Sequence, residues 1–327
     1  MDPSNLEPVL AKDSRLLVAA FYAFTPLDDE RRETLLSSLP TLACDGSVHG
    51  SVLVAHEGVN GTISGPESAV DAVLDHLRAS LVLGNDHYAL LEVKRSWANK
   101  PVFRRFKARR KKEIVTIGVD SVDPRTSVGT YVEPDDWNAL VDDPETLVID
   151  TRNSYETAIG TFEGAIDPST ESFRDFPKWA ESTLRPLIEQ KGSKRIAMFC
   201  TGGIRCEKAS SYLQQEGFGE VHHLRGGILK YLEQVPEAES RWQGECFVFD
   251  QRVALNHQLE PGEHSLCHAC GLPVSAQQRE LPSYIKGVQC VHCVDLFTDA
   301  DRERFAMRQR QIDQRQIDQH NIDRQQA

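Results

Sequence analysis

The sequence predicts a multidomain chain of mixed α/β and α+β class. Three observations predict it. The first hundred residues alternate strand and helix signals in the order βαββαβ, and beyond residue 130 lie continuous apolar runs of the kind found in parallel strands covered on both faces. Near the C-terminus stand two Cys-x-x-Cys pairs. With 327 residues, 40% of them hydrophobic, the chain can bury two or three separate cores.

Leu16–Phe24 reads as a strand, and residues 28–39 follow with helical spacing and acidic residues in the first turn. Residues 48–55 and 59–64 read as a hairpin around Glu57-Gly-Val-Asn-Gly61. Pro66 opens a helix through Arg78 with Ala69, Val70, Val73, Leu74 and Leu77 on one face, and residues 89–93 complete an order like the ferredoxin-like fold. That fold hosts many functions and decides none. In the second block, residues 147–150 and 195–199 are apolar strands, with helices expected over 135–141, 173–190 and 206–217. The expected domains are 1–100 (ferredoxin-like), 101–129 (a basic linker), 130–240 (open α/β), 241–300 (a Cys-rich segment) and 301–327 (a polar tail, a frayed helix or disordered).

Between the strand at 195–199 and the helix that follows lies Cys200-Thr-Gly-Gly-Ile-Arg205. A thiolate there faces unpaired N–H groups at the helix start and the positive end of its dipole, so Cys200 is expected to be nucleophilic near neutral pH. Gly202 and Gly203 let the backbone curl inward, Thr201 and Ile204 complete the loop, and Arg205 adds a permanent positive charge. The competing reading is an ordinary buried cysteine after a core strand. Asp150, Arg152 and Glu156, near another strand end, read as structural ion pairs. Cys206 is either a resolving thiol or a packing cysteine, and Cys246 has no assigned role.

Net charge is −12, yet ten basic residues crowd between Lys94 and Lys112, interleaved with Trp97, Phe103 and Phe106. Such a strip, with Arg104, Arg105, Lys107, Arg109 and Arg110 at its centre, either tracks RNA phosphates or is a solvated linker. Cys267, Cys270, Cys290 and Cys293, with nineteen residues between the pairs, have the spacing of a structural, zinc-ribbon-like four-cysteine zinc site; His264, His268 and His292 are spare ligands. No apolar run reaches membrane-spanning length, and residues 1–8 lack the basic and apolar regions of a signal peptide. A cytoplasmic location is therefore expected, with the eight cysteines serving metal or redox chemistry more than disulfides. Oligomeric state is not readable.

The Cys-x4-Arg loop and the Asp150-Thr-Arg-Asn153 segment resemble those of rhodanese domains, whose loop holds a persulfide sulfur. With Phe21-Tyr-Ala-Phe24, Glu57-Gly-Val-Asn-Gly-Thr62, Lys111-Lys-Glu-Ile-Val-Thr116, Gly160-Thr-Phe-Glu-Gly-Ala165 and Gly244-Glu-Cys-Phe-Val-Phe-Asp250 added, the whole chain resembles the rhodanese-containing tRNA uridine hydroxylases. That resemblance implies a central rhodanese-like domain, tRNA bound through its anticodon region, and conversion of the wobble uridine to 5-hydroxyuridine with molecular oxygen as co-substrate. It gives Cys200 as the essential thiol. Neither a Gly-x-Gly-x-x-Gly dinucleotide fingerprint nor a two-histidine, one-carboxylate iron site is readable, so no flavin or nicotinamide motif and no route of oxygen activation is seen. One route open to uridine is thiolate addition to C6, which makes C5 nucleophilic, with Arg205 and the loop amides stabilising negative charge. The rival readings are a sulfurtransferase carrying a persulfide on Cys200 and an RNA-binding module without turnover.

Overall fold

The computed structural model describes residues 15–43, 46–83, 87–88 and 90–326. They form two compact units: one runs to Gln251 and takes in Leu255–Pro261, and the other comprises Arg252–Ala254 and the chain from Gly262 onward.

The larger unit begins with β1 (Leu16–Phe24), α1 (Asp29–Leu42), β2 (His49–Ala55), β3 (Gly58–Gly65), α2 (Glu67–Ser80), β4 (Glu92–Ala98) and β5 (Phe106–Arg110). The sheet order is β4-β1-β3-β2-β5, antiparallel except that β5 lies parallel to β2. The first four strands keep the ferredoxin-like order. Strand side chains alternate between faces, so Leu17, Ala19 and Phe21 of β1 and Val59 and Ile63 of β3 meet Leu35 and Leu39 of α1 and Val70, Leu74 and Leu77 of α2 in one core. The opposite face carries Ala20, Tyr22, Asn60 and Thr62 and, among the described residues, no helix of this domain.

Three expectations for this part of the chain change. The hairpin turn is only His56-Glu57, so Val59, Asn60 and Gly61 belong to β3 and pair with β2. The strand expected over 89–93 runs instead over Glu92–Ala98, and Ala89 lies outside the described residues. The segment 101–129, read as a linker, supplies a strand, because Phe106 and Ala108 have an apolar edge of the core to cover at period two.

The second domain is a four-stranded parallel sheet in the order β6 (Thr130–Val132), β10 (Glu220–Leu224), β9 (Arg195–Phe199), β7 (Thr146–Asp150); α3 (Pro134–Val141) falls between β6 and β7, and between β7 and β9 come α4 (Ser154–Thr157), β8 (Gly160–Phe162), α5 (Phe176–Trp179) and α6 (Arg185–Lys191). After β9 come α7 (Ile204–Gln215) and α8 (Gly227–Gln234). Ile196, Met198 and Cys200 face one core with Ala209 and Leu213 of α7, whereas Ala197 and Phe199 face another with Trp137, Ile228 and Tyr231. This explains the unbroken apolar runs. The helix expected over 173–190 is segmented, with a widened turn at Ala180–Leu184 just before Pro186, which lacks an N–H and crowds the preceding turn.

In the smaller unit, a long helix, Asp299–Gln326, contains the polar tail. Its first half buries Phe305, which meets Phe297 edge-on, and Gln309.

Buried charge joins the first two domains. Lys208 of α7, 1% exposed, places Nζ 2.8 Å from Glu57 of the β2–β3 turn and 2.7 Å from Glu113 beyond β5. Glu57 also accepts the Ile114 N–H, and the Asn60 amide donates to the Ile114 carbonyl. Breaking a buried ion cluster leaves charge uncompensated and costs about 3–5 kcal/mol. Lys208→Met should therefore lower stability by about 3 kcal/mol in a urea titration; an unchanged midpoint would show that the two carboxylates do not need the ammonium.

Candidate active site

The site is built on the chain reversal between β9 and α7. Two N–H groups in the first turn of α8 bind the loop's carbonyls, Ile228 to Cys200 at 2.9 Å and Leu229 to Thr201 at 3.1 Å. Those carbonyls are thereby satisfied, and the Gly203 N–H donates to Cys200 Sγ at 3.1 Å. Gly227 (φ +67°) makes this docking possible, because a Cβ there would stand 2.4 Å from the Cys200 carbonyl oxygen. Gly203 (φ +98°) caps α7 in a conformation that L side chains avoid.

The thiol is poised as anion. Burial opposes ionisation of Cys200, but the Cys206 thiol, the Arg205 guanidinium and the N–H groups of Cys206 and Arg205 outweigh it and bring the pKa down to about 5. Cys206 moves the other way, raised by its own burial and by the neighbouring thiolate. Burial lifts Cys246 to about 12. Cys206 therefore acts as a neutral donor beside the reactive sulfur, packed in the core and 3.5 Å from the Thr151 hydroxyl.

Arg205 is committed more firmly than its sequence position suggests. Both ends of its guanidinium bind Glu156, each at 2.7 Å, and Glu156 is wholly buried. Glu156 in turn accepts the Asn153 N–H at the start of α4. A carboxylate thus fixes the charge that lies beside the thiolate. Asp150 and Arg152 form a second bidentate pair, fully buried, with Arg152 also donating to the Gly160 carbonyl. Its position behind the strand end agrees with a structural reading.

Above the loop opens a cleft of about 300 Å³, small for a ligand pocket but sufficient for a nucleoside. Its floor is Cys200, Thr201 and Gly202; its roof is the uncovered face of the first domain's sheet, including Tyr22, Thr62 and Lys94. Phe249, 63% exposed, stands at the cleft as well. The Tyr22 hydroxyl donates to Glu207 at 2.9 Å and Tyr131 donates to the other oxygen at 2.7 Å, while burial raises the pKa of Glu207. Sequence reasoning missed Tyr22, Glu207 and Lys94 as parts of the site. The available signal was the period of two in β1, which sends Tyr22 to the face opposite Phe21.

Family models match along the chain: the UPF0176 acylphosphatase-like domain over residues 16–114 and the rhodanese-like domain over residues 133–234. A tRNA uridine(34) hydroxylase of Synechococcus sp. (strain CC9605) is 91% identical over 327 residues, covering 100% of both chains. The proteins of the same name from Parasynechococcus marenigrum (strain WH8102) and Prochlorococcus marinus (strain MIT 9313) are 78% and 57% identical, covering 92% and 94% of this chain and 94% and 98% of their own. The chain belongs to the tRNA uridine(34) hydroxylase family.

In this family member the basic strip divides by geometry. Lys94, grouped with the strip in sequence, is buried in the cleft, and Arg95 pairs with Asp71 and Glu67. Arg110 meets Glu33. Arg104, Arg105 and Arg109 are exposed and Lys107 is half-buried. Lys107 stands on the sheet's uncovered face, since Phe106 and Ala108 turn to the core; the Arg105 charge, with weaker help from burial and Arg109, lowers its pKa. Strand register sets Lys94 opposite Ala20, Ala20 opposite Thr62, Thr62 opposite Ser51 and Ser51 opposite Lys107. One cross-strand row therefore links cleft and basic edge, with Thr62 and Lys107 two strands, about 10 Å, apart.

In the smaller unit the four cysteine sulfurs lie within 4.8 Å of one another. Three separations are 3.9, 3.8 and 3.7 Å, close to the edge of about 3.8 Å that a tetrahedron of 2.3 Å metal–sulfur bonds would have. The donor set could hold a metal ion. Among the described residues, no histidine joins the cluster.

Alkylation of Cys200 by iodoacetamide should already be at its plateau at pH 7 and fall as the pH drops through about 5, because the thiolate is what reacts. A midpoint near 8.5, that of a free cysteine, would refute the thiolate assignment.

Proposed function

We propose that this chain hydroxylates C5 of uridine 34 in tRNA, with molecular oxygen as co-substrate and Cys200 as the reacting nucleophile. The observation that carries the reading is a low-pKa thiol flooring a nucleoside-sized cleft, in a chain whose relatives bear the name tRNA uridine(34) hydroxylase. An enzyme cannot reach C5 and C6 of a stacked base, so the target uridine enters extruded from the anticodon loop. Phe249 offers it, or its neighbour, an aromatic face. Addition of the thiolate to C6 turns C5 into a nucleophile that takes one atom of O2, the other atom leaving as water with two electrons and two protons from an external two-electron donor. Loss of the C5 proton then expels the sulfur and restores the C5=C6 bond, while Arg205 and the Gly203 N–H surround the sulfur.

Lys107 and Arg109, with Arg104 and Arg105 beside them, hold phosphates of the loop as it crosses the sheet. Arg110, engaged by Glu33, serves the fold first. Cys267, Cys270, Cys290 and Cys293 hold one structural zinc, which closes all four positions to chemistry and staples a segment too small for a large core. Among the described residues no helix is long and apolar enough to cross a membrane. A tRNA substrate argues for work in the cytoplasm.

Purified protein incubated under air with a two-electron reductant such as a dithiol, and with tRNA from a strain lacking the enzyme, should give 5-hydroxyuridine at position 34 by nucleoside mass spectrometry. Cys200→Ser should abolish it with the fold intact, since serine stays protonated. Product from the serine variant would remove Cys200 from the chemistry. Transfer of sulfur to cyanide without hydroxylation would favour the persulfide carrier instead.

Reversing charge at Lys107 and Arg109 should weaken binding to all tRNAs alike and flatten its salt dependence by about one unit of slope for each phosphate no longer held, with the choice of base preserved. A wild-type salt slope in that variant would return the strip to the role of solvated surface.

A further inference from the structure

The cleft contains a cation that hydrogen-bonds to none of the described residues. Lys94 is 7% exposed, and its Nζ makes no hydrogen bond. Glu92 Oε2 stands 3.9 Å away, within ion-pair range but beyond hydrogen-bond length, and the Tyr22 ring lies 4.5 Å below. Burying an ammonium without full compensation is costly, and a methionine would fill the same space at less cost. The fold nevertheless puts one on the uncovered face, opposite Ala20, whose small side chain leaves room above it. Glu92, and more weakly the Cys200 thiolate and Glu207, favour the charged form from a distance, but none of them accepts a hydrogen bond from Nζ, and the sulfur's near donors are Gly203, Cys206 and Arg205.

We propose that Lys94 binds the C4 oxygen of the target uracil and stabilises the negative charge that gathers there during attack by Cys200. The inference rests on the hydroxylase reading. In that step the sulfur lone pair forms the S–C6 bond, the C5=C6 π pair becomes the C4=C5 bond, and the C4=O π pair settles on O4. No proton or electron leaves. The unit charge that began on sulfur ends on oxygen, out of reach of an Arg205 already bound by Glu156 and in need of a donor at the far edge of the ring. A preorganised cation in a dry cleft supplies that stabilisation.

The same contact selects the base. Uracil presents a carbonyl acceptor at C4 where cytosine presents an amino donor, and an ammonium, which only donates, satisfies the first and leaves the second unpaired. Burial lowers the pKa of Lys94 to about 8, so the group stays charged at pH 7 while being a stronger donor than a solvated lysine.

The test uses full-length protein and tRNA bearing unmodified uridine 34, with three readouts: 5-hydroxyuridine formed in a single turnover, tRNA affinity, and the pH midpoint of Cys200 alkylation. Lys94→Met should slow product formation by about 100-fold or more, the usual cost of losing an oxyanion donor, with affinity and alkylation midpoint close to wild type. Lys94→Arg, which keeps a charged donor, should recover part of the rate. Wild-type turnover in Lys94→Met overturns the proposal, as does a rate loss matched by a shifted alkylation midpoint, which would make Lys94 a partner of the thiol. Absence of product from wild-type protein would sink the hydroxylase reading itself, whereas wild-type turnover with an indifferent Lys94→Met sinks this assignment alone.

Discussion

The buried contact of Lys208 with Glu57 and Glu113 is the constraint on which the site depends. Lys208 lies three residues beyond Arg205, so the helix that begins at the Cys200 loop carries, about one turn on, the cation that grips the other domain. Any shift of the β2–β3 turn against α7 would leave the buried Lys208 ammonium without its carboxylate partners. The sheet's uncovered face is thereby held over the sulfur, and a cleft exists. Tyr22 and Glu207 reinforce the same seam with a second buried hydrogen bond.

This arrangement accounts for two motifs whose roles are not apparent in isolation. In Glu57-Gly-Val-Asn-Gly-Thr62, Glu57 takes Lys208 and the Ile114 N–H, Asn60 takes the Ile114 carbonyl, and Thr62 roofs the cleft. In Lys111-Lys-Glu-Ile-Val-Thr116, Glu113 completes the cluster and also accepts the Ile117 N–H. What reads as a linker is thus an edge strand followed by a clamp. The cysteine loop of the rhodanese-like domain is here covered by a second domain, and exclusion of water strengthens each electrostatic interaction at the sulfur.

Charge in the site is arranged by opposition. Glu156 neutralises Arg205 and fixes it, the neutral Cys206 donates to the thiolate, and Lys94 hydrogen-bonds to none of the described residues across the cleft. The sulfur is thus surrounded by groups that favour its anion, while the Lys94 ammonium stands on the opposite wall of the cleft, the place in which we infer that it meets a developing charge. Groups aimed where charge develops accelerate a reaction more than groups that bind the starting state.

Cys200 and its loop were legible in the sequence because local rules dictate them: an apolar run, two glycines and an arginine at a strand-to-helix junction leave little alternative. The four-cysteine cluster was legible through spacing, and the ferredoxin-like order through periodicity. Fold class, family and the position of the cysteine loop were thus determined by the sequence itself. Tertiary structure decided the rest, since charges close in sequence parted and charges far apart met. Lys94 and Lys107 stand thirteen positions apart in one basic strip, yet strand register places one inside the cleft and the other on the edge. Glu156 and Arg205 meet across 49 positions, and Lys208 and Glu113 across 95. A buried ion pair is set by which backbones are brought together, and sequence spacing carries no record of that.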